Sequence, residues 1–206
     1  MLIVFEGLDG SGKTSLIQLT KERLQQRLDI EVHTTSELGR REWWSTGART
    51  AVMAARNQQE QLNIIIDARL THWESVLQKL LADDQVVLMD RYLLSTMAYQ
   101  GCATISYAWL LSHHLTRGLP KPDLTFYLDL PVDTALQRLE HRLDPSRFDS
   151  RPRELFEETH RRFEEATICC MDAGWNVSVL NAELPLAELS NRVIDLIIEQ
   201  MAEVTV

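Results

Sequence analysis

Residues 7–14 read Gly7-Leu8-Asp9-Gly10-Ser11-Gly12-Lys13-Thr14, an undeviating G-x-x-x-x-G-K-[ST]. An apolar run, Leu2-Ile3-Val4-Phe5, precedes it and a helix-forming stretch follows. A strand, a glycine loop and a helix in that order make a phosphate cradle, in which successive backbone N–H groups turn inward and the positive end of the helix adds to their field. In such a loop the lysine, Lys13, reaches the β- and γ-phosphates and the hydroxyl of Thr14 helps to hold Mg²⁺. Gly7, Gly10, Ser11 and Gly12 are therefore read as ATP-binding together with Lys13 and Thr14.

The chain has 206 residues, which fits one domain, taken as 1–206. Its formal net charge is −9, which disfavours tight nonspecific binding of duplex nucleic acid and requires any anion site to be local. No run of about 18 apolar residues is present, so no membrane span and no stable membrane or nucleic-acid partner is expected. The strand begins at once after Met1, so no leader is expected. Three cysteines, Cys102, Cys169 and Cys170, give neither a disulfide framework nor metal-ligand spacing, and a reducing cytoplasm is the expected location.

Short β-rich runs alternate with longer helical patterns. Strands are expected at 2–6, 30–34, 85–89, 124–129 and 176–180, and helices at about 13–28, 42–55, 58–82, 92–98, 105–117, 132–142, 152–172 and 185–202. This alternation predicts an α/β, three-layer fold with a five-stranded parallel sheet covered by helices on both faces. Val86-Val87-Leu88-Met89 is apolar throughout, as a strand buried on both sides requires. Ligands of such sheets sit beyond the carboxyl ends of the strands, where Asp9, Asp90 and Asp129 are expected to gather.

Asp90-Arg91-Tyr92 follows the third strand. A carboxylate there reaches Mg²⁺ or its water shell, and an arginine clamps a phosphate with two N–H groups. Arg138, Arg142, Arg147, Arg151 and Arg153 bracket a loop containing Pro145 and Pro152, so a mobile lid is expected at about 142–153. Two or three of these arginines are expected to touch phosphates on closure: Arg138 on ATP, and Arg142 and Arg147 on the transferring group. Arg69 lies in an apolar helix, and two readings stand side by side, a ligand contact or a surface ion pair with Asp67 or Glu74. His72, His113 and His114 read as ordinary helix residues, and Trp43-Trp44 as core anchors or pocket walls.

Over nearly its whole length the chain resembles the thymidylate kinase family of nucleoside monophosphate kinases. The opening Phe5–Thr14, the run Asp90-Arg91-Tyr92-Leu93-Leu94-Ser95-Thr96-Met97-Ala98-Tyr99-Gln100-Gly101, and Pro122–Pro131 carry the resemblance. Arg69, 21 residues before Asp90, stands where the family keeps its base-reading arginine. The resemblance implies Mg²⁺- and ATP-dependent phosphorylation of a deoxynucleoside monophosphate, dTMP to dTDP, usually in a homodimer. It implies that Asp9 contacts the acceptor sugar or the metal shell, with Thr14 and Asp90 as the metal residues. Arg91 would hold the acceptor phosphate, and Arg69, oriented by Ser95, would bond the pyrimidine carbonyl. Thr96 would read the base edge, Tyr99 would pack under the deoxyribose, and Glu37, Ile65 and Gln100 would complete the acceptor set. No arginine occupies the variable P-loop positions, which resembles the subgroup whose lid supplies the basic residues.

The departures lie on the acceptor side. Glu37-Leu38-Gly39-Arg40-Arg41 replaces the usual Glu-Pro-Gly-Gly-Thr, Ile65 replaces a stacking aromatic, and Cys102-Ala103-Thr104 replaces Ala-Gly-Arg. They leave a kinase for another or modified pyrimidine deoxynucleotide as one alternative. A P-loop switch without catalysis is a second, and a kinase acting on nucleotides within DNA, disfavoured by the charge, a third.

Overall fold

The computed structural model describes residues 1–37, 47–102, 104–141 and 152–204. Five parallel strands, β1 (Leu2–Gly7), β2 (Val32–Ser36), β3 (Val86–Asp90), β4 (Leu124–Asp129) and β5 (Val177–Asn181), form one sheet in the order β2-β3-β1-β4-β5. β1 lies at the centre, with Phe5 opposite both Asp90 of β3 and Phe126 of β4. Every residue of β1 is buried, so both faces of the sheet are covered. The edge strands β2 and β5 bury only part of their length. All five expected strands are present within two residues of their predicted bounds. The α/β three-layer reading therefore holds.

α1 (Lys13–Leu28) packs on β1, β2 and β3 and against α9 (Leu186–Val204), which also lies on β4. α5 (Leu93–Gln100) packs on β1, α8 (Arg153–Asp172) on β5, and the two pack on each other. Phe163 of α8 stacks on Tyr127 of β4 with ring centroids 5.6 Å apart and meets Tyr99 of α5 edge-on at 5.8 Å, so three elements lock on one ring. α2 (Ala48–Ala54) and α3 (Gln58–His72) pair with each other, α3 also packs on α5, and α6 (Tyr107–Thr116) and α7 (Val132–Glu140) both pack on α8.

The helix expected at 58–82 is instead three pieces: α3, a π-helical turn over Trp73–Leu77, and α4 (Gln78–Ala82). The Gln78 N–H bonds back to the Trp73 carbonyl five residues earlier. The turn has a packing reason. Leu62, Ile65, Ile66, Arg69 and His72 face inward at helical spacing, and the next buried residue is Leu77, five positions on. One extra residue in the turn brings that leucine back to the core. Of the helix expected at 42–55, residues 42–46 lie outside the described residues, as do Trp43 and Trp44.

Candidate functional site

The loop after β1 has the backbone that its glycines predict. Gly7 has φ 140°, and a Cβ there would lie 2.6 Å from the Leu128 carbonyl oxygen. Gly10 has φ 87°, and its Cβ would meet the Ala135 carbonyl at 2.8 Å. Side chains at either place would push the loop off β4 and α7. Gly12 is the N-cap of α1, with no side-chain cap and no acidic residue in the first turn, so the helix terminus keeps its field for an incoming anion. Thr14 is exposed beside it.

Lys13 folds back into its own loop. Its Nζ donates to the carbonyls of Gly7 at 3.0 Å and Leu8 at 2.8 Å and to Ser11 Oγ at 3.2 Å, which uses all three ammonium hydrogens. Burial, and then the neighbouring Arg91 charge, bring the Lys13 pKa down to about 8.

Arg91 approaches the same loop from β3. Its backbone sits in the left-handed region with φ 70°. Nη2 donates to Asp9 Oδ1 at 2.5 Å, and Nη1 donates to the Gly7 carbonyl at 3.2 Å and to Ser95 Oγ at 3.1 Å. Its guanidinium lies 5.5 Å from the centre of the Tyr99 ring, whose hydroxyl donates to Asp9 Oδ2 at 3.4 Å. Burial works against the Arg91 charge, but Tyr99, Asp9, Asp90 and Glu6 together hold its pKa above the ordinary arginine value. The side chains of Asp9 and Arg91 remain 21% and 23% exposed, so the pair borders solvent. The Gly7 carbonyl accepts from both Lys13 and Arg91, and two cations thus converge on one oxygen at the carboxyl end of β1.

A second cluster lies deeper. Arg69, only 2% exposed, donates from Nε and Nη2 to the two carboxylate oxygens of Glu37, and from Nη2 also to Thr96 Oγ1 and to the Tyr92 carbonyl at 3.3 Å. Its Nη1 faces His114 Nδ1 at 3.5 Å. His114 Nε2 bonds the Pro120 carbonyl at 3.2 Å, which fixes the proton on Nε2 and leaves Nδ1 as the acceptor. Burial and the adjacent Arg69 charge push His114 down to about 3, so the imidazole is neutral. Ile65 is buried on the same helix, and Gln100 is buried with its amide 3.5 Å from Gln61 Oε1.

Several expectations change. The partner of Arg69 is the buried Glu37, not Asp67 or Glu74, both of which are exposed. Ser95 bonds Glu6 and Arg91, with no bond to Arg69. Successive residues of α5 point about 100° apart, so Ser95 faces β1 while Thr96 faces α3 and takes the contact with Arg69. Arg138 donates to the Ala182 carbonyl after β5 at 3.0 Å. Arg153 is engaged by Asp133 at 2.6 Å and Glu157 at 2.8 Å in the first turn of α8. Arg142, Arg147 and Arg151 lie outside the described residues, as does most of the expected lid. Asp90 and Asp129 close β3 and β4, and Asp129 Oδ1 lies 2.8 Å from His160 Nε2.

Sequence reasoning assigned no role to Glu6 and read His114 as an ordinary helix residue, where the structure buries it against Arg69. Glu6 stands among apolar neighbours in a strand, which marks it as a buried acid in need of donors. No local signal marks His114, because its partners are 45 residues away on α3 and across a loop.

Among the described residues no cluster of three or more His, Cys, Asp or Glu side chains has the geometry of a metal cage. Asp90 Oδ1 is nevertheless buried without a hydrogen-bond partner, an orphaned acceptor at the end of β3. One such carboxylate and the Thr14 hydroxyl fit a cation that keeps several waters and takes its other ligands from phosphates. No helix among the described residues is long and apolar enough to cross a membrane.

A sequence profile described as "Thymidylate kinase" matches residues 5–193. The chain is 31% identical over 206 residues to the "Probable thymidylate kinase" of Thermococcus kodakarensis, covering 96% of this chain and 97% of that one. It is 32% identical to the "Thymidylate kinase" of Cupriavidus pinatubonensis, over 88% of this chain and 94% of the relative. A third relative, the "Thymidylate kinase" of Xanthomonas campestris, is 32% identical over 73% of this chain, a match that spans just under two thirds (65%) of that protein's own length.

Proposed function

Because the chain belongs to the thymidylate kinase family, we propose that it transfers the γ-phosphoryl group of ATP to dTMP, yielding dTDP and ADP, within one kinase domain. The observation that carries the reading is the convergence of Lys13 and Arg91 on the Gly7 carbonyl, which sets a donor-side cation and an acceptor-side cation against one oxygen. Phosphoryl transfer is mostly positioning and charge stabilisation, and two fixed cations flanking the line of transfer supply both.

In this reading the ATP phosphates lie on the loop amides and the uncapped start of α1. Lys13 exchanges its bonds to Gly7, Leu8 and Ser11 for phosphate oxygens and follows the migrating charge. Arg91 keeps its bond to Ser95 and turns an N–H pair to the acceptor phosphate, whose oxygen attacks the γ-phosphorus in line. No covalent enzyme intermediate is needed. Asp9 releases one oxygen toward the acceptor sugar, over the face of Tyr99. Arg69, with Glu37, Thr96 and His114 around it, keeps its remaining Nη1 hydrogen for the base carbonyl. Asp90 and Thr14 would hold Mg²⁺, which would supply charge neutralisation to the phosphates. The family likeness also supports a homodimer, which light scattering on the purified protein tests.

The test of the activity is a panel of dTMP, dUMP, dCMP, dGMP and dAMP, each with ATP and Mg²⁺, read by ADP release. Turnover greatest with dTMP and abolished by EDTA is expected. ADP release that is equal with and without any acceptor overturns the reading.

A further inference from the structure

Glu6 is fully buried in β1, one residue before the phosphate loop. Its Oε1 accepts the backbone N–H of Tyr92 at 2.8 Å and of Ser95 at 3.2 Å, and its Oε2 accepts the Ser95 hydroxyl at 2.5 Å. Ser95 Oγ in turn accepts from Arg91 Nη1 at 3.1 Å. We propose that Glu6 is a positioning residue for phosphoryl transfer: acting through Ser95, it aims the Arg91 guanidinium at the acceptor phosphate.

The argument is one of hydrogen count. A serine hydroxyl has one hydrogen. An ionised carboxylate has none to give, so Ser95 must donate to Glu6, and its lone pairs are then turned toward Arg91. The polarity of the whole line, from Glu6 through Ser95 to Arg91 and on to Asp9, is set at the buried end. Burial holds the Glu6 carboxyl above the ordinary carboxylate range, with the Ser95 bond and the Arg91 charge opposing that rise. The direction of the line follows for the ionised form, whose two oxygens accept the three hydrogens that face them. An amide in place of the carboxylate cannot satisfy this arrangement. If its oxygen keeps the two backbone N–H groups, its NH₂ faces Ser95 Oγ, so the serine hydrogen loses its acceptor and the hydroxyl rotates out of the setting that aims a lone pair at Arg91. If it flips, its NH₂ opposes the N–H groups of Tyr92 and Ser95.

The inference rests on the reading of Arg91 as holder of the acceptor phosphate, and the test separates the two. Titration calorimetry compares dTMP with thymidine, which lacks the phosphate that Arg91 would touch. In Glu6→Gln, dTMP binding weakens about tenfold, thymidine binding stays within twofold of wild type, and the KM for ATP is unchanged. Ser95→Ala leaves both backbone N–H groups on Glu6 and removes the hydroxyl that joins Glu6 to Arg91, so it shows the same selective loss. The double variant is no weaker than Ser95→Ala alone, as one shared path requires. Equal losses for dTMP and thymidine, or no loss, overturn the inference and leave Glu6 a cap for α5. Should Glu6→Gln fail to fold, Ser95→Ala decides by the same comparison. A wild-type protein that binds thymidine and dTMP equally overturns the role of Arg91 itself.

Discussion

The guanidinium of Arg69 meets both carboxylate oxygens of Glu37 across 32 residues of sequence, and neither side chain is more than 4% exposed. A buried ion pair of this kind is weak evidence for net stabilisation, but breaking it strands a charge in the interior. Glu37→Ala is therefore expected to destabilise the protein by about 3–5 kcal/mol. Urea denaturation measures it, and a loss under about 1 kcal/mol would show the pair to be solvated.

Lys13 ties proton binding to ATP binding. Burial and the Arg91 charge bring its pKa down to about 8, below that of an exposed lysine, and phosphates would restore the charge. Above pH 8, ATP binding should take up close to one proton, and affinity should fall as pH rises. Calorimetry in buffers of different ionisation enthalpy checks this. For folding itself the sign is opposite: between about pH 8 and 10.4 the unfolded lysine holds a proton that the folded one lacks, so stability from this group rises with pH. Lys13→Ala should remove the proton uptake and lower kcat by at least about a hundredfold, with far-UV circular dichroism unchanged.

Arg91 holds a left-handed backbone with φ 70°, a conformation costing a non-glycine residue about 1–2 kcal/mol. Arg91→Ala and Arg91→Gly both lose the side chain, but only glycine sheds the strain. The glycine variant should melt a few degrees above the alanine variant, by roughly 2–4 °C per kcal/mol. Both should damage dTMP use far more than ATP binding. Identical melting temperatures would mean that the strain is absorbed elsewhere.

His114 makes stability fall in acid. Its folded pKa of about 3 lies below the unfolded value near 6.5, so its contribution is complete above that value and drains away as pH falls toward 3. His114→Gln should flatten the slope of unfolding free energy between pH 4.5 and 6.5 by up to about 1.4 kcal/mol per pH unit. An unchanged slope would place the titration elsewhere.

What was legible in the sequence was local. The phosphate loop, the start of α1 at Lys13 and the apolar run of β3 each follow from a few adjacent residues, and the expected strands lie within two residues of the observed ones. Contacts across the sheet were not legible. The apolar helix around Arg69 leaves a ligand contact and a surface ion pair both open and does not point to Glu37, and the motif that holds Ser95 does not reveal Glu6 on the far side of its hydroxyl. The π-helical turn at Trp73–Leu77 breaks the period itself, so a pattern search runs α3 and α4 together. The lid arginines Arg142 and Arg147 stay as expectations, since they lie outside the described residues.

Glu6 and Gly7 are consecutive residues of the central strand, one steering Arg91 through Ser95, the other offering its carbonyl to Lys13 and Arg91 together. In the proposed reaction the spacing between its two halves is thus ruled off along a single stiff segment of main chain. A displacement of the strand at this point would therefore reach Arg91 by two routes, through Ser95 and directly, and Lys13 by one.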